Sequence, residues 1–218
     1  MSERETPADT WRRRVLAALA DPTAIASSDL WVMRDAAGAL LRPMGPPDGV
    51  TPRHGAVLLL LTPDGDDLRL PLTVRSAHMT NHRGEVSLPG GRVEPGDGGL
   101  VGAALRECHE ELGIDPAEIT VIGRLEQVYI PPSNFLVVPV VGWIEHLGEL
   151  RPDPGEVEAV LSVSLRRLLA PNLLQFERRS FRDAEISVPS FPVDGYSVWG
   201  ATALILSELV ARLRRSQA

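Results

Sequence analysis

The feature that most constrains this chain is an acidic helix that follows a glycine-rich loop. Residues 106–113 read RECHEELG, and three of these eight residues are glutamates, at positions 107, 110 and 111. At about 100° per residue, the three side chains project from one narrow face of a helix. Another face carries the apolar side chains that pack on a core, namely Val101, Ala104, Leu105, Cys108 and Leu112. The pattern predicts an amphipathic helix over 99–112 with a crowded negative face.

Like charges at these spacings destabilise a helix by a few tenths of a kcal/mol per pair. The one cation in register is Arg106, four residues before Glu110. A hard divalent cation, Mg²⁺ or Mn²⁺, prefers carboxylate oxygens and would turn the repulsion into binding. A solvated acidic face is the alternative for such a cluster taken alone. The preceding loop favours a ligand site, because the paired glycines Gly90 and Gly91 allow a tight turn and a close approach to a ligand.

Length and composition exclude several classes of protein. The 218 residues fit one domain with an elaborated end, and we divide them into an N-terminal helix and irregular extension (1–53) and the main domain (54–218). A net charge of −7 argues against broad nucleic-acid binding, and no apolar run is long enough for a membrane span. The single cysteine, Cys108, indicates a buried thiol and a soluble, cytoplasmic protein. All 22 basic residues are arginine, so Arg and His must perform any phosphate binding.

Hydrophobic periodicity predicts an α/β protein. We expect helices at 10–20, 99–112 and 199–215, a helical turn near 164–170, and a largely irregular segment at 33–53. We expect strands at 55–62, 68–76, 119–130, 135–144, 157–163, 175–181 and 184–191. The irregular alternation of strands and helices predicts a mixed sheet with helices on both sides.

The loop and helix together resemble the Nudix box. That motif is a glycine, five residues, a glutamate, seven residues, and then arginine, glutamate, an aliphatic residue, any residue, two glutamates, any residue, glycine and an aliphatic residue. Gly91 begins it here, and the second half matches at Arg106, Glu107, Cys108, Glu110, Glu111, Gly113 and Ile114. Asp97 stands where the first glutamate belongs, and the gap from Asp97 to Arg106 is one residue longer than the general pattern.

Both departures resemble one branch of the family, the coenzyme A pyrophosphatases. Residues 72–91, LTVRSAHMTNHRGEVSLPGG, are similar to the signature that precedes the box in that branch. The matching positions are Thr73, Arg75, Ser76, His82, Gly84, Pro89, Gly90 and Gly91, whereas Leu88 replaces the usual phenylalanine. The resemblance covers roughly residues 54–212 and implies an α/β/α Nudix sandwich, a divalent cation and hydrolysis of a pyrophosphate bond.

The resemblance also implies roles for particular residues. Glu107, Glu110, Glu111 and the Gly91 carbonyl would hold Mg²⁺ or Mn²⁺, and Arg106 would fix the carboxylate of Glu110. The general base would be a box glutamate or the loop residue Glu156. We expect the substrate to contact the cations Arg75, His82 and Arg83, for which a surface salt bridge or a core histidine is the alternative.

Three functions compete. The first is hydrolysis of coenzyme A (CoA) or its thioesters to 3′,5′-ADP and 4′-phosphopantetheine or its acylated form. The second is the same chemistry on ADP-ribose, NADH, nucleotide sugars or nucleoside triphosphates, and the third is a non-catalytic ligand sensor. The partner is then a small molecule. A homodimer could use the terminal helix or the strand at 135–144, although each could equally be core.

Overall fold

The computed structural model describes residues 5–35, 38–76, 84–181 and 184–216. Four helices are present in this part of the chain: α1 (Pro7–Ala20), α2 (Leu100–Leu112), the short α3 (Leu165–Leu168) and α4 (Gly200–Arg215). Eleven strands accompany them: β1 (Arg53–Asp64), β2 (Asp67–Arg75), β3 (Val86–Ser87), β4 (Gly90–Arg92), β5 (Thr120–Arg124), β6 (Val128–Ile130), β7 (Phe135–Trp143), β8 (Val157–Ser164), β9 (Gln175–Phe181), β10 (Ala184–Val193) and β11 (Tyr196–Trp199).

The long strand β1 organises the main sheet. Its first nine residues pair in parallel with β7, and its last three continue into an antiparallel hairpin with β2. The spatial order is β3-β2-β1-β7-β5, with β4 also on β1, β6 on β7 and β8 on β2. The β1–β7 pair is parallel whereas the remaining pairs are antiparallel, so the predicted mixed sheet is confirmed. Strands β9, β10 and β11 form a separate three-stranded sheet.

Helices cover both faces of the main sheet, as predicted. The side chains of Ala56, Leu58 and Leu60 point to one face and pack with Ala104 and Cys108 of α2. Their neighbours in the alternation of β1 point to the opposite face, where α1 and α4 complete a second and larger apolar cluster. None of the helices in the described ranges is long and apolar enough to cross a bilayer.

The predicted strand at 119–130 is wrong in one respect, because β5 ends at Arg124 and β6 begins at Val128. The break has a physical cause. The backbone N–H of Glu126 donates to both carboxylate oxygens of Glu208 on α4, 3.1 Å from each, and thus leaves the strand ladder. The carboxylate that captures this N–H lies 82 residues away along the chain, so no local pattern signals the interruption.

The two segments considered as dimer surfaces both belong to the core. Strand β7 lies inside the main sheet between β1 and β5, and eleven of the sixteen residues of α4 are buried. A homodimer therefore stays a prediction and would need another surface. The N-terminal helix shares the larger cluster, where Trp11, Val15 and Ala18 are buried against α4 and the sheet.

Candidate active site

The three glutamates of α2 differ sharply in exposure. Glu111 is 3% exposed, whereas the side chains of Glu107 and Glu110 are 15% and 55% exposed. Their order follows their angles on the helix. Relative to Glu107, Glu111 is rotated by roughly 40° toward the apolar stripe and Glu110 by roughly 60° away from it. One edge of the acidic face therefore lies against the core, and Glu111 is the buried glutamate at that edge.

Arg106 joins the carboxylates around α2. Its guanidinium donates to Asp97 and Glu110 at 2.7 Å and to Glu107 at 2.9 Å. The pKa of Asp97 is lowered by the hydrogen bond from Arg106 and then by the backbone N–H of Glu94. The predicted contact between Arg106 and Glu110 is present. The aspartate at position 97, although shorter than glutamate, still reaches Arg106 and fastens the loop to the helix.

Glu111 has no such cation within the described residues. Its carboxylate accepts long hydrogen bonds of 3.4 Å from the Thr73 hydroxyl and from the backbone N–H of Gly90. Burial raises the pKa of Glu111 to about 7, while Arg75 acts electrostatically in the opposite direction. A buried carboxylate with weak partners is costly in free energy, so a cation at this place would be stabilising.

Gly91 permits the closest approach at the site. A Cβ atom at this position would lie 2.3 Å from a carboxylate oxygen of Glu107, inside any permitted contact distance. The Glu107 carboxylate thus rests directly on the loop backbone. Burial raises the pKa of Glu107 in spite of its bond to Arg106. Glu107 therefore lies against the Gly91 backbone, while the Gly91 carbonyl as a metal ligand stays a prediction.

Glu156 reaches the site through a loop that is hydrogen-bonded to the end of α2. The backbone N–H groups of Arg151 and Asp153 donate to the carbonyls of Leu112 and Glu111, at 2.8 and 3.1 Å. These are carbonyls that a helix end leaves without a helical partner. The Glu156 side chain is exposed, and its charge raises the pKa of both Glu107 and Glu111. The loop thus brings a fourth carboxylate toward the acidic face.

Only one of the three predicted substrate-binding cations, Arg75, lies within the described residues. Arg75 ends β2 and acts electrostatically on Glu111, and its Nε is buried without a hydrogen-bond partner in the described part of the chain. His82 and Arg83 lie outside the described residues. Ser76 donates its backbone N–H to the carbonyl of Glu156 at 2.8 Å, so the segment before the box contacts the loop after it.

The residues present fit a hard divalent cation. In the described ranges, no three Asp, Glu, His or Cys side chains converge into a ready-made cation site. A small divalent cation such as Mg²⁺ needs no such cage, because one or two carboxylates suffice and water and substrate phosphates fill the other positions. Glu107 and Glu111 offer such oxygens, and burial makes both carboxylates hard to keep charged without a cation.

Two contacts at the site escaped the sequence reasoning. The Thr73 hydroxyl touches Glu111, and Asp97 binds Arg106. The signal for Thr73 was its place in an apolar strand, where a polar residue that points inward requires a partner. Asp97 was marked by its place in the Nudix box, but its bond to Arg106, nine residues later on the helix, was not predicted.

A large cleft lies away from these residues. It has a volume of about 840 Å³ and is bounded by the segment 28–35, by β9 and β10 and by the end of α4. Three arginines on its walls bond backbone carbonyls: Arg34 that of Gly38, Arg214 that of Leu169 and Arg215 that of Thr23. These hydrogen bonds anchor neighbouring segments of the chain, and no residue of α2 or of its glycine loop lines the cleft.

Comparison with known proteins agrees with this geometry. Residues 52–184 match the NUDIX domain, a span that contains α2, its glycine loop and Glu156. The chain belongs to the Nudix hydrolase family. Its match to an uncharacterized Nudix hydrolase NudL from Enterobacter is 37% identical over 177 residues, 80% of this chain and 90% of that protein.

Two plant Nudix hydrolases from Arabidopsis thaliana are also similar. Nudix hydrolase 15, mitochondrial, is 36% identical over 73% of this chain, and Nudix hydrolase 22, chloroplastic, is 37% identical over 71%. The match covers 58% and 53% of their lengths, so this Nudix chain spans little more than half of each. Among solved structures, a MutT/nudix family protein from Enterococcus faecalis gives a TM-score of 0.47 at 20% identity, over 78% of this chain and 64% of its own.

Proposed function

We propose that this Nudix protein hydrolyses the pyrophosphate bond of CoA or its derivatives with Mg²⁺ or Mn²⁺. The products are 3′,5′-ADP and 4′-phosphopantetheine, or acyl-phosphopantetheine from a thioester. The position of the segment before the Nudix box is the observation that supports CoA as the substrate. Thr73 contacts Glu111, and Arg75 acts on the same carboxylate, so residues of the CoA-type signature line the acidic site.

Glu107 and Glu111 would hold the cation, with Glu110 and the Gly91 carbonyl as further oxygen donors. A bound divalent cation neutralises charge on the phosphoryl oxygens and so opens the phosphorus to attack by water. Arg106 keeps Glu107 and Glu110 in one geometry by charge-assisted hydrogen bonds. Arg75, which ends β2 and acts electrostatically on Glu111, would bind the diphosphate.

Water must lose a proton as its oxygen bonds to phosphorus and the bridging oxygen leaves on the other phosphate. Glu156 is our candidate for that base, because its loop is bonded to the backbone of Glu111 and its side chain is exposed to solvent. A Glu156→Gln variant should then lower kcat by about 10²- to 10⁴-fold. If its kcat stays within about twofold of the wild type, a box glutamate is the base.

The test of the substrate is a chromatographic assay of the purified protein with Mg²⁺ or Mn²⁺. CoA, acetyl-CoA, ADP-ribose, NADH and a nucleoside triphosphate are compared, beside a Glu111→Gln control. Release of 3′,5′-ADP and 4′-phosphopantetheine from CoA, lost in the variant, supports the proposal. Much faster cleavage of another substrate would support the Nudix chemistry but exclude CoA as the preferred substrate. No cleavage of any substrate would favour the ligand sensor. The cytoplasmic location stays a prediction.

A further inference from the structure

Two exposed arginines share the face of the main sheet opposite α2, at the end of the sheet that carries the glycine loop. Arg53 begins β1 and Arg92 ends β4, and the pairing of Gly55 with Arg92 makes the two arginines diagonal neighbours. Cα atoms in that relation are roughly 7–8 Å apart, within reach of two long side chains that bind one group.

The side chain of Arg53 is held in place. Its guanidinium lies over the ring of Phe135 at 4.3 Å from the centroid and donates to the carbonyl of Ser133. The Arg53 side chain is nevertheless exposed, so hydrogen-bond donors remain for a ligand. Arg92 is exposed as well. A pre-positioned guanidinium loses less conformational freedom on binding than a free one.

A chain of contacts connects this face to the acidic site. A methyl group placed on Gly55 would lie 2.7 Å from the Gly91 carbonyl and 3.3 Å from the Phe135 ring, so all three meet at one point. Gly91 in turn lies against Glu107. Because side chains alternate along β4, Gly91 faces α2 whereas Arg92 faces away. Strand β4 pairs only with β1 among the described strands, so its outer edge has no strand partner there.

We propose that Arg53 and Arg92 bind a phosphomonoester on the nucleoside end of the substrate, which in CoA is the 3′-phosphate. The inference rests on the proposed function and deepens it. In the proposed function, the diphosphate is bound by Arg75 and by the cation that the carboxylates hold. A further phosphate on the substrate therefore needs other positively charged groups. Paired guanidinium groups bind phosphate through several charge-assisted hydrogen bonds.

Calorimetric binding of adenosine 3′,5′-bisphosphate and of AMP tests this without catalysis. The wild type should bind the bisphosphate about tenfold more tightly than AMP. Arg53→Gln and Arg92→Gln should each reduce that preference to about threefold, and the double variant should abolish it, with AMP affinity unchanged within about twofold. Arg69→Gln is the matched control, because it removes the same charge from β2, where Arg69 forms an ion pair with Asp64 at the far end of β1.

Equal affinity of the wild type for the two ligands would overturn the inference. It would also be overturned if both variants keep the wild-type preference, or if they weaken AMP and the bisphosphate equally. Since Arg92 lies at the exposed end of β4, its variant tests the site even if Arg53→Gln disturbs the Phe135 contact. A retained preference in a protein that does not cleave CoA supports the anion site and overturns the proposed function alone.

Discussion

Two helices on opposite faces of the sheet each carry a buried glutamate, and the two glutamates have different surroundings. Glu208 on α4 is 5% exposed and accepts from Arg212 at 2.8 Å and from the backbone N–H of Glu126. Glu111 on α2 is 3% exposed and accepts two bonds of 3.4 Å. The charge of Glu208 is fully compensated within the protein. The charge of Glu111 is not, and a poorly compensated buried carboxylate is what a cation-binding role would require.

The strongest test of the comparison removes the charge of Glu111. Glu111→Gln should lower kcat by about 10³-fold, because a carboxylate that holds the cation is lost. The free energy of unfolding without added metal should stay equal or rise, since a poorly compensated buried charge disappears. Steady-state kinetics and urea denaturation measure the two effects. A stability loss above about 1 kcal/mol would assign Glu111 the same structural role as Glu208.

The opposite result is expected at Glu208. Glu208→Gln should cost about 3 kcal/mol of stability, because Arg212 is left buried without its counter-charge. Replacing both residues, as Glu208→Leu with Arg212→Leu, should recover part of that loss. Turnover should stay within about twofold in each variant. Urea denaturation and steady-state kinetics give the two values, and a large loss of turnover would show that α4 contributes to the site.

A third test uses the close approach of Glu107 to the loop. Gly91→Ala should lower kcat by about 10²-fold, because the new methyl group displaces the Glu107 carboxylate. Stability should change little, since that carboxylate is the end of a flexible side chain. Gly96→Ala on the same loop is the control, as a Cβ atom there meets nothing within 4 Å. Equal kinetics for both variants would place Glu107 outside the working site.

The smallest effect is stabilisation by the cation itself. Mg²⁺ at about ten times its dissociation constant should raise the free energy of unfolding of the wild type by about 1.4 kcal/mol. The Glu208→Leu, Arg212→Leu protein should gain the same amount, and Glu111→Gln should gain little. Thermal unfolding with Mg²⁺ and with Na⁺ at equal ionic strength measures the gain. An equal gain in Glu111→Gln would mean that Mg²⁺ binds elsewhere.

Sequence reasoning succeeded where the pattern is local. The period of α2 located the helix, its acidic face and its end at Gly113, which adopts the left-handed conformation of a helix cap. The same reasoning placed β1, β2 and β7 within two residues at each end. The three-residue strand β4 and the division between β5 and β6 depend on partners far along the chain, such as β1 and Glu208. Periodicity carries no information about such partners.

The site shows the same limit. The three glutamates and Arg106 could be located because they share one helix, but their unequal burial follows from how α2 rests on the sheet. The contacts of Thr73 and the loop of Glu156 with Glu111 join three distant segments. Only the folded chain brings these segments together, so one sequence without its relatives gives the components of the site and not their arrangement.

The loop that carries Glu156 is aligned by the backbone of α2 and not by the length of chain between them. Arg151 and Asp153 bond the carbonyls of Leu112 and Glu111, while residues 114–150 make a long excursion through β5, β6 and β7. The distance between the carboxylates of Glu111 and Glu156 therefore does not depend on the length of the segment 114–150. Insertions in the mostly exposed segment 145–149 should leave turnover unchanged, whereas a single residue added at 152–155 should abolish turnover. Length variation among relatives would therefore collect at the first place and avoid the second.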